Sequence, residues 1–163
     1  MLDNIENGLN NSLKKIAEVS LLKKLEQKNI NKNDLSKQIE FLGWISEKDE
    51  FYNEVDIVVL PSLNESFGIV LLEAMMYSKP IISSLATGPK EILENKNAAL
   101  TFNANNQEQL VEQMIKLISD KELAKILVKN GYELVNNEYT LEKVVNKLNI
   151  AIGEIINDKF TKN

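Results

Sequence analysis

The chain has 163 residues, 44% hydrophobic and 26% charged, the balance of a single globular domain large enough to bury a core. A formal net charge of -5 without a basic stripe excludes nucleic acid as an expected partner. Cysteine and histidine are absent, which excludes disulfides, thiol chemistry, Ser-His-Asp triads and histidine zinc sites, and all 19 basic side chains are lysine. No apolar run is long enough to span a bilayer and no signal-peptide pattern opens the chain, so a cytoplasmic protein without a membrane span is expected.

In chain order, residues 12–28 read as an amphipathic helix, with Leu13, Ile16, Leu21, Leu22 and Leu25 apolar and lysines between them. After a polar loop, residues 39–44 read as a strand, and Ser46 is the expected cap of a short helix reaching Asn53. Residues 56–60 read as a strand whose continuous apolar run from Ile57 to Leu60 suits a parallel strand buried on both faces, and Pro61 ends it. A helix over 68–77, a strand over 80–84 and a short helix opening at Pro89 follow. A brief strand near 99–102 precedes helices over 106–118, 121–136 and 141–157, whose leucines and isoleucines are expected to cover the sheet as core. Strands alternating with helices imply an α/β fold, a parallel sheet flanked by helices, with a helical C-terminus.

The segment from Pro61 to Met75 carries the chemistry. It runs from a strand end through a polar loop into a helix, with Glu65 in the loop, Gly68 at the junction and Glu73 inside the helix. A helix N-terminus after a strand is where α/β folds take phosphorylated ligands, because its first N–H groups lack partners. The N–H groups of Phe67, Gly68 and Ile69 are the expected free donors. Two carboxylates on either side of an anion site do not attract phosphate, but they suit the hydroxyl-rich ends of a nucleotide-sugar. Plainer readings stand beside this one. Gly68 also fits an ordinary strand–helix turn, Glu65 a carboxylate at the positive helix end, and Glu73 a solvent-facing helix position.

This stretch resembles the E-x7-E donor motif of retaining glycosyltransferases of GT-B architecture, in the glycosyltransferase group 1 (GT4-type) family. The resemblance extends to Phe41-Leu42-Gly43-Trp44, to the run from Glu54 to Ser62, to Ser78-Lys79-Pro80-Ile81-Ile82-Ser83-Ser84 and to Thr87-Gly88-Pro89-Lys90-Glu91, in the family's order and spacing. It implies a Rossmann-like donor-binding domain, the C-terminal half of a GT-B enzyme. Glu65 would contact the donor sugar, Ser66, Phe67, Gly68 and Ile69 the diphosphate or sugar, and Glu73 the ribose hydroxyls. Thr87 and Gly88 would form a donor-side loop, for which a tight turn before a helix serves equally as an explanation. Trp44 and Ile45 match the place that cradles the base, although a lone tryptophan at a strand end also suits packing.

By the same resemblance the reaction moves a sugar from a nucleoside diphosphate, most often UDP, to an acceptor hydroxyl with retention, without a metal or other cofactor. The whole chain, 1–163, reads as one domain: 1–11 as the remnant of an inter-domain loop, 12–140 as the donor-binding core and 141–163 as a C-terminal helix and tail. Between the segments at 4–10 and 19–25, the family pattern has a further strand-helix-strand unit of roughly thirty residues. The first βαβ unit, with its cationic pair, is therefore expected to be missing, and Lys14, Lys15 and Lys23 are the candidate substitutes. The acceptor, a glycan or lipid-linked glycan, is expected to meet a domain absent from this chain, supplied by a partner chain, while self-association into a homo-oligomer would cover exposed sheet edges. The isolated chain is then weakly active, or an inactive fragment that keeps nucleotide-sugar binding or an assembly role.

Overall fold

The computed structural model of the protein describes residues 16–18 and 40–161. Four strands form one parallel sheet in the order β1-β2-β3-β4: β1 (Ile16–Glu18), β2 (Ile57–Leu60), β3 (Ile81–Ser84) and β4 (Leu100–Phe102). The described helices are α1 (Lys48–Glu54), α2 (Ile69–Met76), α3 (Thr87–Leu93), α4 (Gln107–Ser119), α5 (Lys121–Glu138) and α6 (Leu141–Thr161).

The uninterrupted apolar run of β2 is explained by burial on both faces. Val58 and Leu60 enter one core with Leu71, Ala74 and Met75 of α2, Ile81 of β3, and Leu134 and Val135 of α5. Ile57 and Val59 enter the other with Ile82, Leu100, Phe102, Leu117 of α4, and Ala124 and Leu127 of α5. Each such Val, Leu or Ile contributes about 1.5–3 kcal/mol by leaving water. A strand buried in this way needs ladder partners on both edges. β3 supplies one, in the register Val58↔Ile81, and β1 the other, in the register Ile16↔Ile57.

That second edge overturns the helix expected over 12–28, because the backbone at 16–18 is a strand. A vacant edge on a buried strand outweighs the helical spacing of the leucines. Residues 4–10 and 19–25, together with Lys14, Lys15 and Lys23, lie outside the described residues. The strand expected over 39–44 does not form at 40–44, where the backbone is irregular and Phe41, Leu42 and Trp44 are exposed. Apolar content alone does not make a strand, and residues 40–44 pair with none of the described strands.

Local signals shift the helix boundaries by a residue or two. α1 is capped by Glu47 rather than Ser46, with no side-chain cap bond. α3 starts at Thr87, two residues before Pro89, which the first turn tolerates because its N–H groups lack intrahelical acceptors. Asn106 and Asp120 cap α4 and α5 by accepting from the N–H groups of Gln109 and Leu123 at 3.0 and 2.9 Å.

The C-terminal helices divide. α4 and α5 cover the sheet as expected, whereas α6 packs chiefly on α5. Its Leu148, Ile150, Ile152, Ile155 and Ile156 are exposed, as are Val111, Ile115 and Ile118 of α4 and Ile126 of α5, so none of these is core. The sheet's two faces are already filled by α2, α4 and α5, which leaves α6 no sheet surface to cover.

Candidate functional site

Parallel strands deliver their following loops to one edge of the sheet, where α/β folds bind ligands. Here the loops after β2 and β3 meet at that edge. Ser84 Oγ, at the end of β3, donates to the Ser62 carbonyl at 2.6 Å, and Gly88 N–H donates to the Glu65 carbonyl at 2.9 Å. Gly88 sits so close to Phe67 that an added Cβ would be 2.4 Å from the Phe67 Cα. Thr87 and Gly88, expected in a loop, are instead the first two residues of α3. Gly88 thereby makes a close backbone contact with the Glu65–Phe67 loop.

Gly68 is the N-cap of α2 in the left-handed region, φ 94° and ψ 48°, which turns the chain sharply from loop to helix. Its carbonyl accepts from Leu71 N–H at 2.9 Å. The N–H groups of Ile69 and Val70 open the helix and have no intrahelical acceptor. Phe67 N–H was expected to be free as well, but it donates to Glu65 Oε1 at 3.3 Å, because a glutamate two residues back can fold onto its own loop. Glu65 is half-buried, while Ser66, Phe67 and Ile69 are exposed at the mouth.

Glu73 does not face solvent alone. Its side chain is 21% exposed; Oε1 pairs with Lys48 Nζ, and Oε2 accepts from Tyr52 OH at 3.1 Å. Tyr52 is 2% exposed and stacks on Tyr77, with ring centroids 4.6 Å apart and planes at 13°, and Tyr77 OH donates to Asp49 Oδ1. Burial first, and then the Glu73 carboxylate, hold the Tyr52 phenol well above the usual tyrosine pKa. The bond to Asp49 chiefly raises that of Tyr77. Lys48, Asp49, Tyr52 and Tyr77 were not singled out from the sequence. The signal available was the four-residue spacing of Lys48 with Tyr52 and of Glu73 with Tyr77, each pair on one helix face.

Trp44 is 95% exposed, which rules out its reading as a core side chain, and Ile45 is half-buried. Among the described residues no three His, Cys, Asp or Glu side chains gather to hold a metal ion. None of the described helices is long and apolar enough to cross a membrane.

A parallel sheet with helices on both faces, and a glycine-capped helix at its C-terminal edge flanked by two glutamates, is the Rossmann-like C-terminal half of a GT-B protein. Residues 20–134 match the family described as glycosyl transferases group 1, and the chain belongs to that family. An uncharacterised glycosyltransferase of Methanocaldococcus jannaschii is 37% identical over 136 residues, 82% of this chain and 38% of that protein. The chain thus spans about two fifths of that relative's length. The C-terminal domain of the group 1 glycosyltransferase LpcC of Francisella tularensis is 32% identical, covers 73% of this chain and 63% of that one, and superposes with a TM-score of 0.64. Anabaena HepE, solved in complex with UDP, shares the fold with a TM-score of 0.74 at 17% identity, over 93% of this chain and 44% of that one.

Proposed function

We propose that the chain is the donor-binding part of a retaining glycosyltransferase and takes a nucleoside-diphosphate sugar, with UDP as the nucleotide. The observation that carries this reading is the start of α2: a left-handed glycine cap with Glu65 before it and Glu73 after it, clamped from the side by Gly88. The N–H groups of Ile69 and Val70 would meet the diphosphate, helped by the positive end of the helix. Glu65 would accept from sugar hydroxyls and Glu73 from the ribose, while Trp44 and Ile45 would lie toward the base. Family membership and the UDP held by HepE support the choice of ligand.

In the reaction, the bond from the anomeric carbon to the diphosphate oxygen breaks. A bond to the acceptor oxygen forms on the same face, and the acceptor's proton leaves with the diphosphate. This part of the protein would contribute positioning and stabilisation of the developing diphosphate charge. The acceptor glycan or lipid-linked glycan would be held by residues beyond this domain. A second reading, donor binding without turnover by this chain alone, draws on its lysine-only cationic set, which lacks the bidentate fork of arginine.

Calorimetric titration with UDP-glucose, UDP-N-acetylglucosamine and GDP-mannose tests the binding. Saturable affinity for one donor, weakened about tenfold or more in Glu73→Gln, supports the reading. A folded chain that ignores every donor contradicts it. Release of UDP in the presence of an acceptor, with the product's anomeric configuration read by NMR, separates the two alternatives.

A further inference from the structure

Glu73 of α2 is held by a second helix. α1 carries Lys48 and Tyr52 four residues apart on one face, and Glu73 of α2 has the same spacing to Tyr77, the C-cap of that helix. The two faces meet: Lys48 Nζ on Glu73 Oε1, Tyr52 OH on Oε2 at 3.1 Å, and the Tyr52 ring flat against Tyr77 at 4.6 Å. Tyr77 in turn is tied back to α1 through Asp49. The tyrosine side of this arrangement is closed, with Tyr52 2% exposed, whereas the Lys48 side chain is 55% exposed at the rim.

A carboxylate offers about four lone-pair positions across its two oxygens. Tyr52 occupies one on Oε2 and Lys48 one on Oε1, so acceptor capacity remains on both oxygens. Two vicinal hydroxyls on the same face of a ring, each donating to one oxygen, match that remainder; a single hydroxyl leaves half of it unused. A side chain already fixed in this orientation also loses little freedom when the ligand arrives.

We propose that Tyr52 and Lys48 are positioning residues that hold Glu73 ready for both hydroxyls of a ribose, so that the site selects ribonucleotides over their 2′-deoxy counterparts. The proposal rests on the reading of Glu73 as the ribose contact given above. Neither residue need touch the ligand; each acts through the carboxylate.

The test is calorimetric titration of the chain with UDP and with 2′-deoxy-UDP, for the wild type, Tyr52→Phe, Lys48→Met and Glu73→Gln. The wild type is expected to prefer UDP by about tenfold, the worth of a hydrogen bond to a charged group. Tyr52→Phe and Lys48→Met are each expected to lower that preference to about threefold or less, mainly by weakening UDP while 2′-deoxy-UDP changes little. A merely structural role would weaken both nucleotides alike and leave their ratio standing, and that result overturns the proposal. If Glu73→Gln abolishes the preference while both other variants keep it in full, the positioning proposal fails and the ribose reading stands. If Glu73→Gln leaves UDP affinity unchanged, or the wild type binds neither nucleotide, the ribose reading fails and takes the proposal with it. Lys48→Met alters an exposed side chain, so the comparison survives if Tyr52→Phe misfolds.

Discussion

Gly88 lies against the backbone of Phe67 so closely that any side chain on it would collide: an added Cβ would be 2.4 Å from both the Phe67 Cα and N atoms. The Gly88 N–H bond to the Glu65 carbonyl, 2.9 Å, makes the same contact a fastening between the loops after β2 and β3. Because the obstacle is backbone, it cannot rotate away as a flexible side chain could. Gly88→Ala is expected to destabilise the fold by about 2–3 kcal/mol, the upper end of overpacking costs, and to displace Glu65. Urea unfolding would show this as a lower midpoint with an unchanged slope; a midpoint equal to wild type would mean that the two loops part readily.

Gly68→Ala tests the turn itself. At φ +94° a Cβ is strained whatever the space, and it would also press Leu71 Cδ1 at 3.3 Å. A loss of about 1–2 kcal/mol in urea unfolding is expected, together with weaker UDP binding. Unchanged stability and affinity would show that the helix can start without the left-handed cap.

Ser78 offers a gain. It ends α2 at φ 55°, with its N–H on the Met75 carbonyl at 3.0 Å and Lys79 N–H on the Ala74 carbonyl at 2.9 Å, a Schellman ending in which glycine is the usual residue. Ser78→Gly relieves the left-handed strain but frees the unfolded chain, for a net stabilisation of about 0.5–1 kcal/mol. A lower thermal midpoint in the variant would contradict this.

The tyrosines predict an alkaline weakness. Tyr52 has a folded-state pKa raised above its ordinary 10.0, by burial and then by Glu73. Its contribution to stability is therefore complete below that value. It is lost as the pH climbs through and beyond it, since the unfolded chain ionises first. Tyr77, raised mainly by its bond to Asp49, acts in the same direction. The urea midpoint is expected to fall progressively as the pH rises above about 10, with Tyr52 accounting for at most about 1.4 kcal/mol per pH unit. Tyr52→Phe should flatten this fall; an identical pH dependence in the variant would place the Tyr52 phenol in water.

The strands β2, β3 and β4 and the helices after them were legible in the sequence because continuous apolar runs and glycine or proline punctuation are local signals. The strand at 16–18 was not, since only the vacant edge of β2 makes it one. The same distinction bears on 40–44, apolar but paired with none of the described strands, and on α6, patterned like a core helix but left outside a filled core. In the turn after α3, Asn95 and Asn97 take φ 61° and 48°, a region that asparagine enters more readily than most residues. At the candidate site, the placement of Glu65 in the loop, Gly68 at the helix start and Glu73 in the helix was readable from the local pattern. The Lys48–Glu73–Tyr52 contact joins residues 25 and 21 positions apart and exists only once α1 packs on α2.

The central claim is that the start of α2 is a donor site. It is tested most directly by a two-dimensional amide NMR spectrum of the isotopically labelled chain titrated with UDP. The amides of Gly68, Ile69 and Val70 should move and saturate together in the wild type and move far less in Glu73→Gln. A dispersed spectrum in which these amides stay still as UDP is raised would contradict the account.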